Sequence, residues 1–215
     1  MRIQDRDSIA SDTGPKQSGR EQVTLSRRSM GAQLRLATLS WLQEGEGLPA
    51  HSFLETIETA SSHPGFGNVD LWLCAGRTLI ERPSAAEVLL CSGGSSVCFE
   101  VWEEGVVSWL CAFRQRGIDV LTALRSGQIV YKRDDWHAFP TLTRALLAGD
   151  GLLQFEGLNL TLALLICGEN NALDYLVKEF TSTRPWGILN PAHFAYWPQA
   201  IPTGAAKVKQ VGKAG

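Results

Sequence analysis

No apolar run in this 215-residue chain approaches the ~20 residues that a helix needs to cross a bilayer, so a membrane-spanning role is not expected. The charged residues at the N-terminus are followed by no hydrophobic segment, which argues against a secretory signal. Neither sign of charge prevails: Lys and Arg number 20 against 22 Asp and Glu, a formal charge of −2. That balance gives no reason to expect nucleic acid or an anionic membrane as a partner. Five cysteines, an odd number without paired spacing, argue against a disulfide framework and for a reducing compartment, here the cytoplasm. The four histidines (His51, His63, His137, His193) are scattered and show no ligand spacing with the cysteines, so neither a metal nor a cofactor is expected. There is no internal repeat.

What is present is ordinary globular material, 44% hydrophobic and 20% charged, sufficient for one sizeable core. Residues 1–31 carry few apolar side chains and cannot offset the entropy of ordering, so a disordered arm is expected there. Residues 203–215 read as a flexible basic tail, which leaves 33–202 as a single domain.

Within it, a strand at 34–40 precedes a helix at 50–61, whose Phe53, Ile57 and Ala60 lie at helical spacing. A break at 63–68 leads to a strand at 69–74, and 84–88 reads either way. Strands at 97–102 and 106–113 flank Glu103-Glu104-Gly105, a hairpin with glycine in its turn. A short helix or turn is expected at 119–124, a strand at 128–133, and a hairpin from 152–156 into 158–166. A helix at 172–180 and a strand at 186–189 complete the order. Helices and strands interleaved in this way predict an α/β layered sandwich.

The apolar run 160–166 halts at Cys167, and Gly168-Glu169 follow at once. It reads as a buried strand with a cysteine at its C-terminal lip, where a covered sheet presents its chemistry. The alternative is that Cys167 is a small buried hydrophobe, the usual fate of a free cysteine. Cys74, Cys91, Cys98 and Cys111, in apolar surroundings, read as core filler.

Gly149-Asp150-Gly151, Phe155, Ile166-Cys167, Glu169 and Asn190-Pro191-Ala192 follow the order and nearly the spacing of the nucleophile region of the nitrilase (carbon–nitrogen hydrolase) superfamily, which this segment resembles. Upstream, Tyr131-Lys132-Arg133 and His137-Ala138-Phe139-Pro140 are similar to the segment that carries the family's lysine. The resemblance covers 125–195 well and 34–75 faintly. It implies an α-β-β-α sandwich of two mixed sheets with outer helices, shortened at the C-terminus. It also implies hydrolysis of a small amide or nitrile through a cysteine thiolate and a thioester-type acyl-enzyme.

Such chemistry needs a thiolate, a positive charge beside it, and a carboxylate that moves protons between thiol, departing amine and water. Carried over residue by residue, the resemblance makes Cys167 the nucleophile and gives the Gly168 N–H and Lys132 the oxyanion. Lys132 fits only with a gap; without one, Asp135 takes its place, and Lys132 reads as a plain exposed lysine. At the family's glutamate stands Gly76. Glu81 is the substitute if its loop folds back, or else an acid at a helix start near Pro83; Asp134 and Asp135 are further substitutes. Glu169 anchors the turn after the nucleophile, while Asn190 and His193 line the adjacent strand end, where Asn reads as fixing the loop; with Gly168 these residues make the substrate-binding set that the resemblance implies. Trp186, Phe194, Tyr196 and Trp197 either cover the short C-terminal end themselves or form an apolar patch that docks a partner, and a homo-oligomer or a partner chain covering that end is expected. The missing glutamate also supports an alternative, a catalytically degenerate member serving as a binding or regulatory subunit.

Overall fold

Period-2 alternation in the longest strands assigns every layer of this molecule. The computed structural model describes residues 23–27, 33–40, 47–75, 79–103, 105–156, 158, 160–180 and 187–191. In β3 (Leu71–Ala75), Leu71 and Leu73 enter one core while Trp72 and Cys74 enter another. The same division runs through β4 (Ser96–Glu103), where Cys98 opposes Val97, Phe99 and Val101. In β5 (Val106–Gln115), Trp109, Cys111 and Phe113 share the first core, and Leu110 and Ala112 the second. Sheets buried on both faces need nearly continuous apolar strands, which is why these segments read as runs.

Strands β2 (Leu36–Ser40), β3 and β4 are parallel neighbours, and β5 and β6 (Ile118–Ser126) extend them antiparallel. The helices α1 (Ala50–Ser61) and α2 (Ala85–Cys91) are the crossovers that parallel pairing demands. Both bury their apolar faces, through Phe53, Ile57, Val88 and Leu89, in the core shared with Trp72 and Phe99. Ser84 and Glu87 close a capping box at the start of α2, which resolves the ambiguous 84–88 as helix.

The second sheet has the order β1 (Val23–Leu25), β7 (Leu152–Phe155), β8 (Thr161–Leu164), β9 (Gly187–Leu189). The pairs β1–β7 and β8–β9 are parallel and β7–β8 is antiparallel. Leu153, Phe155, Leu162 and Leu164 meet Leu71, Trp109 and Phe113 in one core between the sheets. On the other face, Ala163 and Leu165 pack with Leu142 and Leu146 of α3 (Phe139–Leu147) and Leu173 and Leu176 of α4 (Leu173–Glu179). The protein is thus mixed α/β, with two mixed sheets and helices on the faces they do not share. No helix among the described residues is long and apolar enough to cross a membrane.

Four expectations need correction. The segment 119–124 is part of β6, paired with β5 along its length, so cross-strand packing overrides local preference. The segment 128–133 is a loop: the Asp135 carboxylate accepts the N–H groups of Tyr131 and Lys132 at 3.0 and 2.9 Å, a side-chain turn that competes with a strand ladder. Helix α3 was not anticipated, although Pro140 in its first turn and the spacing of Leu142 and Leu146 mark it. Lastly, β1 lies inside the arm 1–31 that was expected to be disordered; pairing with β7 and full burial of Leu25 hold it. The expected tail 203–215 lies outside the described residues, as do Gly76, Trp186, His193, Phe194, Tyr196 and Trp197.

Candidate functional site

Strands β6, β8 and β9 end on the same side of the molecule, and Cys167 stands where β8 runs out. Its φ is +38°, in the left-handed region. For a residue with a Cβ, that conformation costs about 1–2 kcal/mol and persists only where its surroundings enforce it. The enforcement is visible. The Asn190 side chain, at the end of β9, donates to the carbonyls of Leu165 at 2.6 Å and Cys167 at 3.4 Å. The Glu169 N–H returns to the Ile166 carbonyl at 2.9 Å, and Asn171 Nδ2 donates to the Gly168 carbonyl at 2.8 Å. Asn190 therefore fixes the loop, as its residue type implied. Its Oδ1 is buried without a partner among the described residues.

Gly168 is required by close approach. A Cβ there would lie 2.6 Å from the Tyr131 carbonyl oxygen and 2.9 Å from that of Val130. The turn after the cysteine is thus pressed against the loop that follows β6. No acceptor among the described residues takes the Gly168 N–H.

Beneath the turn, Glu169 is fully buried and receives four hydrogen bonds, two on each carboxylate oxygen. Arg125 Nη1 and the Ile166 N–H donate to Oε2 at 2.8 and 2.9 Å; Arg125 Nη2 and the Ile129 N–H donate to Oε1 at 2.9 and 2.8 Å. Burial pushes the Glu169 carboxyl above its ordinary range, while the Arg125 charge and the two N–H donors pull it back. With both oxygens saturated, Glu169 anchors the turn and is not free to take a thiol proton. Arg125, 1% exposed, also has Asp150 Oδ2 3.9 Å from its Nε. Gly151 lets it pass, since a Cβ there would lie 2.5 Å from Arg125 Cδ.

Sequence reasoning missed Arg125, and its reach depends on an irregularity. The β5–β6 register pairs Leu110 with Ala123 but Trp109 with Arg125, so Leu124 is an extra residue. Without this bulge Arg125 would follow Leu121 and Ala123 towards the helices; with it, Arg125 joins Trp109 on the face between the sheets. An arginine ending an apolar strand, with an acid two residues after the candidate nucleophile, was the only signal available.

The remaining candidates are less tightly held. Lys132 is exposed in the loop whose Val130 and Tyr131 carbonyls abut Gly168, and its ammonium makes no bond among the described residues. The same loop carries Tyr131 and Trp136, 65% and 72% exposed, the latter edge-on to His137. Donation from Tyr131 and Lys132 holds the Asp135 carboxyl below its usual range. Glu81 is exposed, two residues past Leu79, which prolongs the line of β3 by bridging Leu48 and Val101. No described contact joins Glu81 to Cys167.

Cys167 is half-buried and packs against the core between the sheets. Cys74, Cys98 and Cys111 are buried, and Cys91, the last residue of α2, is half-buried. Burial pushes the Cys74 and Cys111 thiols well up, and raises that of Cys91, so these are poor nucleophiles. No group of three or more His, Cys, Asp or Glu among the described residues is placed to hold a metal ion. Compared with known proteins, the chain matches no family model, no curated protein and no solved structure.

Proposed function

We propose that this protein is a carbon–nitrogen hydrolase of nitrilase type, acting on a small amide or nitrile through Cys167. The observation that carries the reading is the left-handed backbone of Cys167 at the exit of β8, held there by Asn190 and the Glu169 anchor. Strain of this kind, sustained by its surroundings, is characteristic of functional positions. In the proposed reaction the Cys167 thiolate attacks the amide carbon, and the Gly168 N–H and the Lys132 ammonium stabilise the oxyanion. The C–N bond breaks, the amine leaves with the proton taken from the thiol, and water then cleaves the thioester. Glu81 is the candidate proton carrier, with the loop of Tyr131 and Trp136 forming an apolar lip. A second copy or a partner chain remains part of this reading, because β9 is a sheet edge among the described residues.

One observation favours a second reading, a binding or regulatory subunit without turnover: no carboxylate among the described residues is hydrogen-bonded to Cys167. A single experiment separates the two. Labelling with iodoacetamide is followed against pH by peptide mass spectrometry, with the other four cysteines as controls and ammonia release from small amides and nitriles measured in parallel. Fast labelling of native Cys167, slowed by Lys132→Ala, together with ammonia release abolished by Cys167→Ser, is expected of the hydrolase. Fast labelling with no ammonia released supports the subunit. Labelling only on unfolding overturns the assignment of Cys167.

A further inference from the structure

A cleft of about 450 Å³ opens at the end of the molecule opposite Cys167, where β1, β7 and the β5–β6 hairpin meet the start of β4. Its walls carry three arginines, Arg27, Arg114 and Arg116, with Gly94, Ser96 and Glu156. Both sheets contribute, Arg27 and Glu156 from one and the remainder from the other.

Charge alone makes the cleft cationic, and two further observations say that the charge is meant for something outside the chain. Arg114 spends only its Nε on Asp119, at 2.7 Å, which leaves its terminal nitrogens in a fixed fork. Arg116 makes no ion pair or hydrogen bond among the described residues, yet it occupies a strained position. Gln115 and Ile118 pair directly, so Arg116 and Gly117 form a two-residue hairpin turn, with φ of +51° and +80°. Both central positions of such a turn require positive φ and favour Asn, Asp or Gly. An arginine at the first of them gives up local stability and gains only a guanidinium directed at the cleft.

We propose that this cleft binds a small hydroxylated phosphomonoester, with the phosphoryl group on Arg114 and Arg116. Planar guanidinium forks match phosphate oxygens in pairs, and the cleft has the volume of an ordinary small-ligand site. Glu156, to which Ser26 Oγ donates at 3.3 Å, repels a second anionic group and accepts from a hydroxyl, so the ligand carries its charge at one end. This site is independent of what Cys167 does.

The test uses the full chain and Arg116→Asn, a substitution that suits the turn and removes the charge. Glycerol phosphate and inorganic phosphate are titrated by calorimetry and thermal unfolding, with sulfate and chloride at matched ionic strength as controls. Glycerol phosphate is expected to bind the parent chain and raise its Tm above the controls. The variant is expected to lose affinity by about tenfold or more, the usual effect of a charged hydrogen bond, while its unliganded Tm stays level or rises. The proposal is overturned if sulfate and chloride act equally, if the variant binds as well as the parent, or if neither phosphate has an effect. Pelleting with vesicles of anionic phospholipid, without a response to glycerol phosphate, also overturns it and moves the phosphate to a membrane surface.

Discussion

The two ends of this molecule handle charge in opposite ways. At the Cys167 end, Arg125 and Glu169 lie in the interior, and the carboxylate takes four hydrogen bonds from the guanidinium and the backbone. At the other end, Arg114 and Arg116 stand in an open cleft, one with a single partner at its Nε and the other with none described. Charge at the first end is structural and fixes a backbone; charge at the second is available to a ligand. Acidic and basic residues near a candidate active site are therefore poor guides to catalysis here, because the best-placed acid is already committed. On the reading proposed above, the groups left for chemistry are the Cys167 thiol, the Gly168 N–H and the exposed Lys132 of the adjoining loop.

Substitutions at each end test this contrast. Arg125→Ala or Glu169→Ala leaves an uncompensated buried charge and should destabilise by about 3–5 kcal/mol, read as a shift in urea midpoint. A loss below about 1 kcal/mol, the size of an exposed ion pair, would remove the distinction between the two ends. Gly168→Ala forces a methyl group against the Tyr131 and Val130 carbonyls and should cost about 1–3 kcal/mol. It should also slow alkylation of Cys167 with iodoacetamide; unchanged stability and labelling would mean that the turn is looser than its contacts indicate. The smallest effect concerns Asp135. Its carboxyl lies below its ordinary value, so its contribution is complete above the unfolded value of about 3.9 and fades as pH falls through the folded one. Protection of the Tyr131 and Lys132 amides, relative to their intrinsic exchange rates, should fall in that acid window while that of Leu25 holds, and an equal loss at both would show general acid unfolding instead.

Much of this fold was legible because its strands are buried on both faces and its crossovers are amphipathic. Trp72 alternating with Leu71 and Leu73, and Phe53 spaced from Ile57, sufficed to place β3 and α1. Segments stabilised from a distance were not legible. β1 has only three residues, and nothing local distinguishes Val23–Leu25 from a disordered arm until β7 lies beside it. The loop at 128–133 has the apolar content of a strand, and a single carboxylate at Asp135 decides otherwise. At the site, Cys167 could be picked out because it ends an apolar run, and Gly168, Glu169 and Asn190 were reached only through the resemblance. Arg125 could not, because a bulge in a ladder is set by register and leaves no mark on the residue it redirects.

That bulge has a consequence for how the protein opens. Arg125 belongs to the sheet of β6, and Glu169 follows β8 in the other, so their pair crosses from one sheet to the next. Neither sheet can swing away or melt by itself without stranding an ion in a low-dielectric interior. Partial opening is thereby priced close to complete unfolding, and amides in β6 and β8 should exchange with one common free energy, as a single cooperative unit. One additional residue in β6 thus makes two stacked sheets behave as one body.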